Sequence, residues 1–352
     1  MVKDMKSNIF KFICGISLVC ALWSCKNGDI DFPDFEEGTT VYFPYQYPVR
    51  TIVLGDDEYD TSLDKAHKCQ IKATFGGSYN GSNGSVTVAV ADTLCNNLFY
   101  EDGVTPVKAM PSSYYQLSTT TLNFNGTMNG TTEVQLTDDF FNDPDAVKNT
   151  YVIPLMITGQ KGFTKILTGS LNEGQSGSRT DESVWDVRPM DYVLYCVKFQ
   201  NKYSGWWLTH GTTSTENIEK AQPVEIRTKS LSQCLYEVSY QGKWWKTNKK
   251  TNELEEVDSL FKADIQLNFD GSEKCNITSP SNLYSATGSG SWGDNTEIKA
   301  WGNKDRDGME LDYAVDFGED EKGLPHKFAT HEKMVWQRSG VVIEEFTPVY
   351  IK

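Results

Sequence analysis

The stretch "MELDYAVDF" (residues 309–317) alternates strictly: Met309, Leu311, Tyr313, Val315 and Phe317 fall on one side, Glu310, Asp312, Ala314 and Asp316 on the other. A period of two predicts a strand with one oily face and one wet face. "DIQLNFD" (264–270) repeats the pattern, and "TEIKAWG" (296–302) sets Ile298 and Ala300 against Glu297, Lys299 and Trp301. From Tyr192 to Ile351 about nine or ten such runs follow one another at hairpin spacing. That spacing predicts an antiparallel meander, either closed into a β-barrel or folded as a jelly-roll or lectin-like sandwich.

Upstream, "TVYFP", "CQIKATFGG", "GSVTVAVAD", "TEVQLTD" and "TYVIPLMITG" belong to about seven short runs rich in Val, Ile, Thr and aromatics. Asn-Gly and Gly-Gly pairs divide them, since both residues tolerate positive φ. No long helical periodicity interrupts this region, so residues 40–167 are expected to form an immunoglobulin-like β-sandwich serving as a spacer. Residues 168–190 are rich in Gly, Ser and charge without periodicity, and read as a linker. Residues 191–352 then form the second, Trp-rich domain. Near its start Gly205-Trp206-Trp207 resembles the Gly-x-Trp of lipocalin-like barrels, with Arg338 as the arginine packed on that tryptophan, which favours the barrel.

At the N-terminus Lys3, Lys6 and Lys11 precede a short apolar run, the pattern of an export signal over residues 1–24. Leu22-Trp23-Ser24-Cys25 resembles the bacterial lipobox, with Cys25 as the acylated residue, although Trp23 is bulky for its position. Two or more acyl chains anchor a protein stably. Residues 25–39, "CKNGDIDFPDFEEGT", are acidic and read as a solvated tether. The formal charge is −15, and removing residues 1–24 makes it about two units more negative. Such a chain is a poor partner for nucleic acid or for an anionic lipid surface, so membrane contact is expected through the lipid anchor only. Cys69, Cys95, Cys196, Cys234 and Cys275 show no CxxC and no metal-ligand spacing, which points to buried thiols.

Motifs for catalysis are missing. "GSGSWG" (288–293) fits GxGxxG but sits among hairpins with no helix after it, and nothing matches GxSxG or a Walker loop. His326, His331 and Glu332 lack zinc spacing, and no cofactor is expected. Asn303-x-Asp305-x-Asp307-Gly308 opens like a calcium loop, yet Ala314 stands where a bidentate Glu belongs. A polar hairpin turn explains those residues more simply. The tryptophans are more informative: Trp206, Trp207, Trp244, Trp245, Trp292, Trp301 and Trp336 all follow the linker. Neighbours on a strand face opposite ways, so Trp206-Trp207 and Trp244-Trp245 cannot both be buried pairs. An outward indole flanked by acids and amides suits a sugar ring. Trp245, Trp301 and Trp206 are therefore the candidate glycan contacts, with Glu310 and Asp312 as hydrogen-bonding partners on the face of Trp301. Trp207 and Trp336 are assigned to the core.

A lipobox cysteine with an acidic tether, then "VYFPYQYPVRTIVLGDDEYDTSLDKAHKCQIKATFGG" (41–77), "TYVIPLMITG" (150–159) and "DYVLYCVKFQNKYSGWW" (191–207), together resemble the surface lipoproteins encoded in polysaccharide-utilisation loci of gut Bacteroidota. The first module is similar to the sandwich that elsewhere precedes family 18 glycosidase-like domains. The resemblance implies a place on the exterior of the outer membrane and partnership with a starch-utilisation-type transporter and its glycan-binding lipoprotein. The DxxDxDxE motif of family 18 catalysis is absent, the nearest text being "LDYAVDFGEDE" (311–321). The expected function is glycan binding without cleavage. The alternatives are a glycoside hydrolase of unrecognised type and a structural component of an uptake complex.

Overall fold

A computed structural model describes residues 33–56, 59–214, 217–219 and 223–352. The lipidation candidate Cys25 and the export segment lie outside the described residues, as does the tether up to residue 32. The fold is all-β, with short helices at Ser62–Lys65 and Asp138–Asn142.

Two sheets face each other in the first unit. One has the order Lys165–Ile166, Thr40–Tyr42, Lys68–Gly76, Asn129–Leu136, Tyr115–Leu117. The other places Glu344–Glu345, Pro48–Val53, Tyr192–Gln200, Tyr151–Lys161, Ser85–Val90 and Thr121–Asn123 side by side. Strand alternation builds the core between them: Cys69, Ile71, Ala73 and Phe75 point inward from one strand and meet Ile52, Val88, Ile153, Leu155, Val193 and Val197. Each fully buried Val, Leu, Ile or Phe among them contributes about 1.5–3 kcal/mol.

Three boundaries differ from the sequence expectation. The strand Tyr192–Gln200 belongs to the sandwich, antiparallel to Tyr151–Lys161 and parallel to Pro48–Val53. Its near-continuous apolar run is covered on both faces, by the main core and by a second cluster of Leu94, Leu98, Val107 and Phe346. Residues 168–190 are tied down rather than free. Ser170–Leu171 pairs with Trp185–Val187, Thr180 and Val184 are buried, and Arg179 bridges Asp191 at 3.0 Å. The described end of the tether also lies against the sandwich, with Phe35 N donating to Gly77 O at 2.8 Å.

Eight strands then run Gly205–Thr213, Val224–Ser230, Gln233–Thr247, Leu254–Phe269, Lys274–Thr278, Ser285–Trp301, Lys304–Glu319 and Pro325–Arg338. Each pairs antiparallel with the next. The first also pairs with the last, which closes the ring as a meander barrel. Met309, Leu311, Tyr313 and Val315 point inward and Glu310 and Asp312 outward, as the alternation requires. Two hairpins overshoot their neighbours: Gln233–Thr247 stays paired with Leu254–Phe269 out to Thr247 and Leu254, and Ser285–Trp301 pairs with Lys304–Glu319 out to Trp301 and Lys304. After the barrel the chain returns to the sandwich, where Glu344–Glu345 pairs with Pro48 and Val49, and Val349–Tyr350 with Leu98–Phe99. The barrel is thus inserted between two strands of the sandwich.

Candidate functional site

The barrel separates the residues expected to form a sugar site. Trp301 is opposite Lys304 at a hairpin tip, whereas Glu310 lies opposite Ser291 and Lys333, and Asp312 opposite Ser289 and His331. Six residues of strand between Lys304 and Glu310 span about 20 Å, too far for one sugar ring to touch both ends. The two acids hold a histidine instead. His331 Nδ1 is 2.7 Å from Asp312 Oδ1 and Nε2 is 3.7 Å from Glu310 Oε1.

Trp245 is half-buried under Lys322, whose Nζ lies 3.6 Å from the ring centroid. The turn carrying Lys322 is fastened by Asp320, which is buried and accepts from Lys322 N at 2.9 Å, Leu324 N at 3.0 Å and Trp245 N at 3.2 Å, with His326 Nε2 at 3.0 Å. Desolvation pushes the Asp320 carboxyl up, but these hydrogen bonds outweigh it and bring the pKa down to about 2. Trp206 is half-buried with the Arg338 guanidinium 5.4 Å from its ring. Arg338 therefore packs on Trp206, not on Trp207, which is wholly buried. Alternation is the reason: Trp207 faces inward, leaving its neighbour outside.

The calcium-like run resolves into hairpin chemistry. Gly302 and Asn303 both have positive φ, 63° and 57°, as a two-residue turn requires. Asp305 Oδ1 accepts from Lys299 N at 2.9 Å and Asp307 Oδ1 from Asn295 N at 3.0 Å, so each carboxylate closes an irregularity in the facing strand. No group of three or more His, Cys, Asp or Glu among the described residues is placed to hold a metal.

Inside the barrel lies a feature that sequence reading missed. Glu332, 1% exposed, accepts from Thr209 Oγ1 at 2.6 Å, Tyr236 OH at 2.9 Å and Tyr313 OH at 2.8 Å. Burial, with Glu332 alongside, raises both phenols well above their usual range. The signal was present in "FATHEKMVW" (328–336), where Phe328, Thr330, Glu332, Met334 and Trp336 share the inward parity. Tyr240, Phe261, Phe328 and Met334 are buried in the same core, so this carboxylate fixes packing rather than meeting a ligand.

The sandwich offers a more open surface. Thr40–Tyr42 covers Lys68–Gly76 only from Thr74 to Gly76. Phe43 then turns away to bond Met190 O, and Pro44, which lacks an N–H, cannot continue the ladder. The uncovered strand becomes one wall of a groove of about 420 Å³. Ile71, Val193 and Tyr195 line it, Pro44, Tyr45 and Pro48 overhang it, and Arg50, Lys68, Gln70, Lys72 and Asn129 supply polar groups. Tyr45 is 67% exposed. Arg50 pairs with buried Asp64 and Lys68 with Glu133 at 3.1 Å.

Fold and surface thus define a class: an all-β, two-unit protein in which a meander barrel is inserted into a sandwich. Residues 201–340 match a family model described as a domain of unknown function, DUF5627. Residues 35–164 match a second model, described as an N-terminal domain. Among solved structures, a structural-genomics protein of unknown function from Bacteroides ovatus is similar at 29% identity over 91% of this chain and 100% of its own, with a TM-score of 0.76. A multidomain protein including DUF1735 from the same organism aligns over 86% of this chain and 96% of its own at 10% identity, TM-score 0.42. None of the curated proteins matches.

Proposed function

We propose that this protein is an outer-membrane lipoprotein, acylated at Cys25 and facing the cell exterior, that binds an oligosaccharide or polysaccharide for a starch-utilisation-type transporter and does not cleave it. The observation that carries the binding reading is the exposed Tyr45 ring at the mouth of a groove bordered by Gln70, Asn129 and Lys72. An aromatic face packs on the C–H patch of a sugar while amides and amines bond its hydroxyls. This moves the proposed contact from the barrel to the sandwich.

Cleavage has less support. Burial, set against a hydrogen bond from Asn295, and the neighbouring Asp294 carboxyl push Asp307 up to about 6 in a cleft between the two units, and a raised carboxyl is what a general acid needs. Of the other carboxyls in the cleft, however, Asp294 is its hydrogen-bond partner, Glu273 is held by Lys202 and Tyr203, and Asp56 by Lys65. Glycoside hydrolysis requires two carboxyls about 5 Å or more apart.

The test is calorimetric titration of plant and host polysaccharides into the chain lacking residues 1–25, alongside its Tyr45→Ala and Trp301→Ala variants. Tyr45→Ala should weaken binding about tenfold, the worth of one stacked ring, and Trp301→Ala should leave it unchanged. A flat response across the panel overturns the reading. Loss on Trp301→Ala alone overturns its placement on the sandwich.

A further inference from the structure

The groove beside Tyr45 has an electrostatic character at odds with the rest of the chain. Three basic residues line it, Arg50, Lys68 and Lys72, and no acidic one, although the whole sequence carries a net charge of −15. Two of these charges are answered: Arg50 by the buried Asp64 carboxylate, Lys68 by Glu133. Lys72 is exposed and forms no ion pair among the described residues. Its cross-strand neighbour is Thr131, and Gln70 stands between it and Lys68 on the same face of the strand. An unanswered ammonium therefore lines the same groove as an exposed tyrosine ring and the neutral side chains of Gln70 and Asn129.

Resting on the glycan reading above, we infer that the groove selects a saccharide bearing a uronate carboxylate. Its pyranose ring packs on Tyr45 and its carboxylate meets Lys72. One carboxylate matches the one unanswered cation, whereas a densely sulfated chain would bring several charges towards a strongly acidic protein. A charge-assisted hydrogen bond to Lys72 is stronger than the contact a hydroxymethyl group makes in the same place.

The experiment compares a uronate-containing polysaccharide with the same polymer after chemical reduction of its carboxyls, and with a sulfated oligosaccharide, titrated into the full chain lacking residues 1–25. The uronate form should bind about tenfold or more tightly than its reduced form, as one charge-assisted hydrogen bond implies. Raising the salt concentration should narrow the gap. Lys72→Gln should abolish the difference between the uronate and reduced forms, and Lys72→Glu should invert it. Equal binding of both forms overturns the inference and leaves glycan binding standing. Stronger binding of the sulfated ligand also overturns it. Binding of none of the three overturns both this inference and the reading beneath it.

Discussion

Asp307 shows what one poorly solvated carboxyl does to its surroundings. Its pKa is raised from 3.8 to about 6 by burial and by the Asp294 carboxyl, against the hydrogen bond from Asn295. Between those values the folded state holds more protons than the unfolded chain, so stability falls as pH rises from about 4 through about 6. Asn in its place still accepts from Asn295 and never ionises. Asp307→Asn should therefore unfold at a higher temperature than the parent at pH 7–8 and at the same temperature at pH 4, and thermal melts at both pH values check this. Glu332 is the contrasting case, a buried carboxylate with three hydroxyl donors. Its inward position follows from strand parity, but its donors come from three other strands, and no spacing in the sequence indicates which ones.

The barrel's long hairpins behave as elements with separate anchors. Asp320 ties the turn between Lys304–Glu319 and Pro325–Arg338 to the end of Gln233–Thr247, where Glu321 Oε2 also accepts from Thr247 N at 2.6 Å. Asp320→Ala should accelerate amide exchange at Trp245, Lys322 and Leu324 while leaving Leu311 and Ile265 in the core protected. Uniform acceleration would mean that the turn and the barrel open together. Acid should mimic the substitution. Because the folded pKa of Asp320 lies near 2, below the 3.8 of an unperturbed aspartate, its contribution holds above about 4 and is lost as pH falls through about 2. Gly205 anchors the opposite end: at φ 127° a Cβ there would stand 2.6 Å from Arg338 O, where the first and last strands meet. The alternation of "MELDYAVDF" correctly placed four inward residues, yet it does not show where Trp301 falls, which pairing opposite Lys304 sets six residues along the strand from Glu310.

For the whole molecule, the insertion of the barrel makes a prediction about its parts. The two ends of the insertion are close, since Gln200 Nε2 donates to Ser339 O at 2.8 Å, and the sandwich keeps every strand partner among residues 33–200 and 344–350. Replacing residues 202–338 with a short Gly-Ser linker should leave a chain that unfolds cooperatively with a β-sheet circular dichroism spectrum. Non-cooperative melting of that chain would show that the sandwich depends on the barrel.

Sequence alone was enough for the all-β class, the two-unit composition, the inward and outward parity of most strands and the turns, because these rest on neighbours two to four residues apart. By sequence residues 192–200 belong to the second unit, whereas the strand they form completes a sheet of the sandwich between Pro48–Val53 and Tyr151–Lys161. Pairing over distances of a hundred residues or more decided the rest. It returned the C-terminus to Pro48 and Leu98, closed Gly205–Thr213 against Pro325–Arg338 and drew Phe43 to Met190 O, away from the stretch of Lys68–Gly76 left uncovered beside Tyr45. Such contacts depend on which surfaces meet when the whole chain packs, and local spacing carries no record of them.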